Sequence, residues 1–168
     1  KEGDEYRVGM LISNAKKVEG NSKEGESQTI VLDAKGKTIL EALKNIELTS
    51  PKELYIRHLL VIVISEEVAE EGLEEILDYL LRDPQSRKMF YLILARDCKA
   101  KDTLKILSPL EAFPSQSIAT NIEETFRLQA TMTKVTYNSF LGDLLEPGKD
   151  PYVNSVLIEG STKDGEKE

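Results

Sequence analysis

Residues 54–107 read LYIRHLLVIVISEEVAEEGLEEILDYLLRDPQSRKMFYLILARDCKAKDTLKIL, and the switching between apolar runs and amphipathic stretches in them decides the fold. Residues 54–64 are a continuous β-branched and apolar run, the pattern of a strand covered on both faces. Ser65 is placed to cap a helix, with Glu66 and Glu67 near its positive end. Ala69, Leu73, Ile76, Leu77 and Leu80 follow at helical spacing and make one apolar stripe. Gly72 bends or divides that helix. Arg82-Asp83-Pro84 ends it, because a residue before proline is pushed out of the α region. Residues 89–95 are a second apolar strand, and Ala100, Leu104 and Leu107 a short helix. A strand, a helical crossover and another strand form a βαβ unit, so parallel strands with a right-handed connection are expected.

Upstream, Tyr6, Val8, Met10 and Ile12 alternate with Arg7, Gly9 and Leu11, which predicts a half-buried strand. Residues 14–27 are polar and predict a loop. Residues 28–33 are a second strand, expected to pair with the first. Thr38 followed by Glu41 is a capping-box spacing, and the helix it opens carries Ile39, Leu43 and Ile46 on one stripe. Its end is expected near Thr49-Ser50-Pro51. Downstream, Pro109 and Pro114 bracket a turn, and Ile118, Ile122 and Phe126 mark a helix. Thr136 caps another, with Val135 and Phe140 in staple positions and Leu141, Leu144 and Leu145 expected inward. Pro147-Gly148 ends that helix, and residues 152–158 are a last strand. The fold class is therefore α+β: a mixed β-sheet with a βαβ unit and several packed helices. Residues 1–160 are expected to form one domain and residues 161–168 a charged tail or linker.

The bulk composition fits that picture. The chain has 168 residues, 40% of them hydrophobic and 31% charged, which suits a globular domain and is too apolar for a disordered one. A formal net charge of −8 argues against nonspecific nucleic-acid binding and against attachment to anionic lipid by charge alone. A single cysteine, Cys98, excludes an internal disulfide framework and a multi-cysteine zinc site. No run of 18 apolar residues is present to span a membrane as a helix. The chain opens at Lys1 in a strand-like segment and is read as a piece of a longer protein, with any targeting signal upstream.

Candidate chemistry is thin. His58 is the lone histidine, so any Ser-His-Asp or Cys-His arrangement would have to use it. It sits within a strand run beside Arg57, where a structural role is the better reading. Six glutamates and Asp78 lie between Ser65 and Arg82. Acid–base work on glycosides needs two carboxylates facing each other across a cleft. Here Glu70, Glu71, Glu74, Glu75 and Asp78 fall opposite the apolar stripe and read as a solvated face, without a calcium loop of EF-hand type. Cys98 stands beside Arg96 and Lys99, which would lower a thiol pKa, yet no base or second cysteine accompanies it. Arg82-Asp83-Pro84 and Arg96 sit at element ends and could rim a ligand. Turn chemistry plus an Asp78–Arg82 ion pair at helical spacing explains them more simply. Gly36-Lys37-Thr38 lacks the upstream glycine of a phosphate-binding loop. No catalytic residue, metal ligand or cofactor-binding residue is assigned.

The order of residues is more specific than any one motif. HLLVIVISEEVA at 58–69, Glu71-Gly72, LDYLLRDP at 77–84, LILAR at 92–96 and the helix at 100–104 resemble the Ger(x)C family of spore germination proteins. GKTILEAL at 36–43, LEAFP at 110–114 and residues 140–151 fit the same pattern, so the resemblance covers roughly residues 28–158. Where that family usually carries a glycine after the strand, this chain has Ser65. The resemblance implies the N-terminal domain of a C-type subunit of a nutrient germinant receptor in an endospore-forming bacterium. It further implies a lipoprotein on the outer face of the spore inner membrane. Its partners would be the two integral membrane subunits of the receptor, and its anchor a lipidated cysteine upstream of Lys1 for which Cys98 cannot stand in. No enzyme activity and no cofactor are implied.

Two rival readings stay open on the residues alone. One is a nutrient-binding domain that senses the germinant directly, which would need a concave, mostly apolar pocket with a few convergent polar groups. Against it, the chain has no Trp and only ten Phe plus Tyr, spread along its length. The other is a hydrolase using His58 or the acidic helix.

Overall fold

The structure is a computed structural model and describes residues 3–13, 29–50, 59–84, 87–105, 120, 123–124 and 133–158. The first layer is an antiparallel ribbon of β1 (Tyr6–Ser13) and β2 (Thr29–Gly36), in register from Tyr6 opposite Gly36 to Ser13 opposite Thr29. Helix α1 (Ile39–Thr49) comes directly after it. The Thr38 hydroxyl accepts from the Glu41 N–H at 3.1 Å, as the capping spacing predicts. The Glu41 carboxylate reaches back one residue further than a capping box, accepting from the Lys37 N–H at 2.7 Å. Ala42 and Ile46 are the residues that α1 buries completely, with Ile39 and Leu43 half-buried beside them.

The second layer is the βαβ unit. β3 (Val61–Ser65) runs parallel to β4 (Tyr91–Ala95), Val61 opposite Tyr91 and Ser65 opposite Ala95. Between them lie α2 (Glu66–Glu71) and α3 (Glu74–Arg82). Gly72, at φ +116°, divides the two helices, a backbone conformation that L side chains rarely adopt. Ser65 holds the cap position of α2, but its side chain makes no capping bond. α4 (Ala100–Lys105), α5 (Tyr137–Leu145) and β5 (Asn154–Val156) complete the described elements, with β5 parallel to β4. The fold is α+β, with antiparallel pairing in a two-stranded sheet and parallel pairing in a three-stranded one of order β3-β4-β5.

Three strands are shorter than their apolar runs, and β4 explains two of them. Of the expected strand over 54–64, residues 54–58 lie outside the described residues, and the part described from Leu59 becomes regular at Val61, where β4 first offers a partner. The expected strand over 152–158 pairs only through residues 154–156. The near half of that edge of β4 is already taken, since Tyr91 bridges antiparallel to Thr136 and the Leu92 N–H donates to the Val135 carbonyl at 3.2 Å. The third is β4 itself: Met89 stands in a turn with its side chain exposed, and Phe90 is buried at 1% just before the strand.

The parallel sheet buries side chains on both of its faces. Ile64 and Leu92 point to one side, where Leu77 and Leu80 of α3 meet Phe90, Val135, Tyr137 and Phe140. Val61 and Ile93 point to the other, with Val63, Tyr91 and Val156. That alternation is the period of two along a strand. On α5, Thr136 and Ser139 form a reciprocal capping box and Val135 with Phe140 enter the same cluster, as the staple predicts. The inward stripe is nevertheless Tyr137, Phe140 and Leu141. Leu144 and Leu145, expected inside, are 45% and 72% exposed. The Tyr137 hydroxyl donates to the Leu77 carbonyl at 2.7 Å, and this fixes the helix rotation from its first turn. The turn bracketed by Pro109 and Pro114 lies outside the described residues, as does most of the helix expected near residue 122, of which Thr120, Glu123 and Glu124 are seen as helical.

Candidate functional site

Among the described residues, those singled out by type do not come together in a reaction centre. His58 lies outside the described residues. Glu70, Glu71, Glu74, Glu75 and Asp78 are all exposed on α2 and α3, and among the described residues no group of three or more His, Cys, Asp or Glu could hold a metal ion. Asp78 accepts from the Arg82 Nε with both oxygens, at 2.8 and 2.9 Å, which is the helical ion pair expected from the spacing. At the end of α3 the Lys88 ammonium donates to the Leu80 carbonyl, and to that of Asp83 at 2.7 Å. A cation there satisfies helix-end carbonyls and complements the negative end of the helix dipole. Arg82-Asp83-Pro84 is thus a helix stop held by Lys88.

Arg96 is exposed at the end of β4, 3.9 Å from Asp97, whose φ of +54° turns the chain towards α4. Cys98 is half-buried with its sulfur 3.7 Å from the Thr103 hydroxyl, a neutral group that cannot take the thiol proton. Gly36-Lys37-Thr38 serves as strand end and helix cap. A Cβ on Gly36 would lie 2.4 Å from the Ala42 nitrogen, so this glycine is required by the close approach of α1 to β2.

A small crevice opens between α2, the parallel sheet and α5, lined by Ile64, Ala69, Leu73, Leu92, Phe140 and Val153 among others. Every lining side chain is apolar. A nutrient such as an amino acid or a sugar needs convergent polar groups for orientation, and this crevice supplies none from its side chains.

Sequence reasoning missed one charged constellation. Asp33 of β2 accepts from the Arg7 guanidinium of β1 at 2.8 Å and from the Lys101 ammonium of α4. The hydrogen bond from Lys101, then that from Arg7, holds the Asp33 carboxyl below its ordinary range. The Arg7–Asp33 half is a diagonal cross-strand pair, readable once the ribbon's register is known. Nothing local announces Lys101, 68 residues away. Tyr91 makes a second long-range contact, donating to the Glu123 carboxylate at 2.8 Å. Burial, and then that carboxylate, push its phenol up to about 12.

What remains is a sheet packed on both faces and surrounded by charged helix faces. Exposed apolar side chains are scattered over it, among them Leu48, Met89, Leu144 and Leu145. Among the described residues no helix is long and apolar enough to cross a membrane.

The family model described as spore germination protein N-terminal domain matches residues 1–158. The chain is 31% identical over 172 aligned residues to the putative spore germination protein YfkR of Bacillus subtilis, covering 99% of this chain and 43% of the relative. It is 28% identical over 165 residues to spore germination protein KC of Bacillus subtilis, covering 95% and 40%. It is 27% identical over 137 residues to spore germination protein GerQC of Bacillus cereus, covering 82% and 38%. The chain thus spans about two fifths of the length of these relatives. No solved structure matches it.

Proposed function

This chain belongs to the Ger(x)C family of spore germination proteins, as an N-terminal domain, and from that premise we propose that it is part of a non-catalytic subunit of a nutrient germinant receptor. In this reading the whole protein is a lipoprotein on the outer face of the spore inner membrane, anchored by a lipidated cysteine upstream of Lys1. It assembles with the integral membrane subunits of the receptor and supports the step that commits the spore to germinate when nutrients arrive. Residues 1–160 act as its first domain and residues 161–168 as the link to the remainder of the protein.

The observation that carries the proposal is the family match across residues 1–158. The geometry supports a scaffold in particular. Among the described residues, the types that could have served chemistry are spent on ion pairs, helix-end charges and solvated faces, while side chains of the parallel sheet are buried on both of its faces. A rigid sheet with helices on it suffices to display a surface to partners. The decisive experiment is purification of the tagged full-length protein from detergent-solubilised spore membranes. Recovery of the integral membrane subunits with it is expected; a protein that folds, is exported and brings none of them down would end the proposal. Direct sensing of the germinant is the alternative, and the crevice seen among the described residues gives it no polar side chain to bind. Titration with amino acids and sugars while following the thermal midpoint separates the two, since a ligand bound by the folded state must raise it.

A further inference from the structure

The apolar clusters that hold the parallel sheet together contain no described residue of β1, β2 or α1. The ribbon and α1 form a body of their own. The Asn45 side-chain amide donates to the Lys35 carbonyl at 2.8 Å, and α1 closes on β2 across Gly36. This body meets the parallel-sheet layer where α1 packs on α3 and where Lys101 of α4 grips Asp33. The grip is between charges that keep 30% and 21% of their side-chain surface in water, and is therefore open to screening by salt. Asp33 is also held by Arg7 of its own ribbon, so its charge stays compensated when Lys101 lets go. One arm of the constellation is internal to the ribbon; the other crosses between layers.

We propose that the Lys101–Asp33 ion pair is a salt-sensitive latch, which fastens the β1–β2–α1 layer to the parallel-sheet layer and lets it loosen as a unit when ionic strength rises. The low range of the Asp33 carboxyl makes salt, rather than mild acid, the effective trigger. The latch is a polar contact, whereas the core of the parallel sheet is apolar and not weakened by salt, so the two layers respond differently to the same change of medium.

Backbone hydrogen exchange on the full-length protein tests this, read separately for amides of residues 6–13 and 29–49 and for those of residues 61–65 and 91–95. In the wild type, raising the salt is expected to speed exchange in the first set several-fold and to leave the second set unchanged. Lys101→Met is expected to speed the first set by about fivefold at low salt, the worth of a partly exposed pair, and to abolish its salt dependence. Lys101→Arg keeps the charge and is expected to restore both protection and salt dependence. Equal acceleration in both layers would make the pair an ordinary contributor to global stability and overturn the latch, as would salt dependence that survives in Lys101→Met.

Discussion

Gly36→Ala is the substitution at which the structure makes its most exposed bet. A Cβ built on Gly36 meets the Ala42 nitrogen at 2.4 Å and both the Ala42 Cα and the Glu41 carbonyl carbon at 2.9 Å. All three are backbone atoms of α1, so no side chain can rotate away to make room. Ordinary contact begins near 3.5 Å, so α1 must lift by about 1 Å from the end of β2. That movement strains the cap, in which Thr38 and Glu41 engage Glu41 and Lys37 backbone N–H groups, and unseats Ala42 and Ile46, both at 0% exposure. Overpacking of this kind costs up to about 3 kcal/mol, and the reduced freedom of the unfolded chain returns up to about 1 kcal/mol. A net loss of roughly 2 kcal/mol corresponds to a fall in midpoint of about 4–8 °C for a domain of this size. Urea unfolding followed by far-UV circular dichroism, together with calorimetry, reads both quantities. Gly142→Ala is the matched comparison, since nothing lies within 4 Å of its Cβ position and it sits within α5. There alanine is expected to stabilise by about 0.5–1 kcal/mol. If Gly36→Ala unfolds at the wild-type midpoint, the close approach of α1 to β2 is refuted, and with it the placement of the ribbon on its helix.

Thr136→Ala removes the hydroxyl that accepts from Ser139 at 3.3 Å and opens the capping box, with an expected loss of about 1 kcal/mol in chemical denaturation. Tyr137→Phe keeps the ring, packed 5.3 Å from Phe90, and deletes only the bond to the Leu77 carbonyl. A loss of about 1 kcal/mol is expected, much smaller than for Tyr137→Ala. The Tyr91 phenol, raised from 10 to about 12, favours the folded state fully below pH 10. That contribution is lost as pH climbs through about 12, so ultraviolet titration of the folded domain should show one fewer late-ionising tyrosine in Tyr91→Phe than in the wild type.

Elements whose rules are local were legible from the residues, and elements whose limits depend on a partner were not. The alternation of Tyr6, Val8, Met10 and Ile12, the Thr38 cap, the break at Gly72 and the stop before Pro84 each rest on a few neighbouring residues, and each stands in the structure. Apolar runs state only that a segment is buried. How much of it becomes strand is decided by the neighbour that offers hydrogen bonds, and β4 offers β5 three residues because residues 135–137 hold the rest. The last turn of α5 failed for a related reason. Leu144 and Leu145 continue the helical period, but the period does not say where the core ends. Of the candidate site, the solvated carboxylate face and the Asp78–Arg82 pair were legible, because both depend on helical spacing alone. The Asp33–Lys101 grip joins residues 68 positions apart, and no spacing rule reaches that far.

The groups whose ionisation is displaced carry a physical meaning for how such a domain works. Enzyme sites concentrate groups whose ionisation has been shifted for a task. Among the described residues the displaced groups are tyrosines raised by burial, a lysine held by neighbouring acids at the end of α5, and an aspartate lowered by two cations that fasten it. None of these shifts moves a group towards ionising near pH 7. β4 concentrates the same economy in a single strand. Leu92, Ile93 and Ala95 are at 1% or less exposure, and the backbone around them bonds β3 on one side and both residues 135–137 and β5 on the other. A strand anchored by three separate stretches of chain makes the parallel sheet the fixed body. Any movement available to the domain is then pushed outward, to the ribbon and α1, whose union with that body is polar at Asp33 and Lys101.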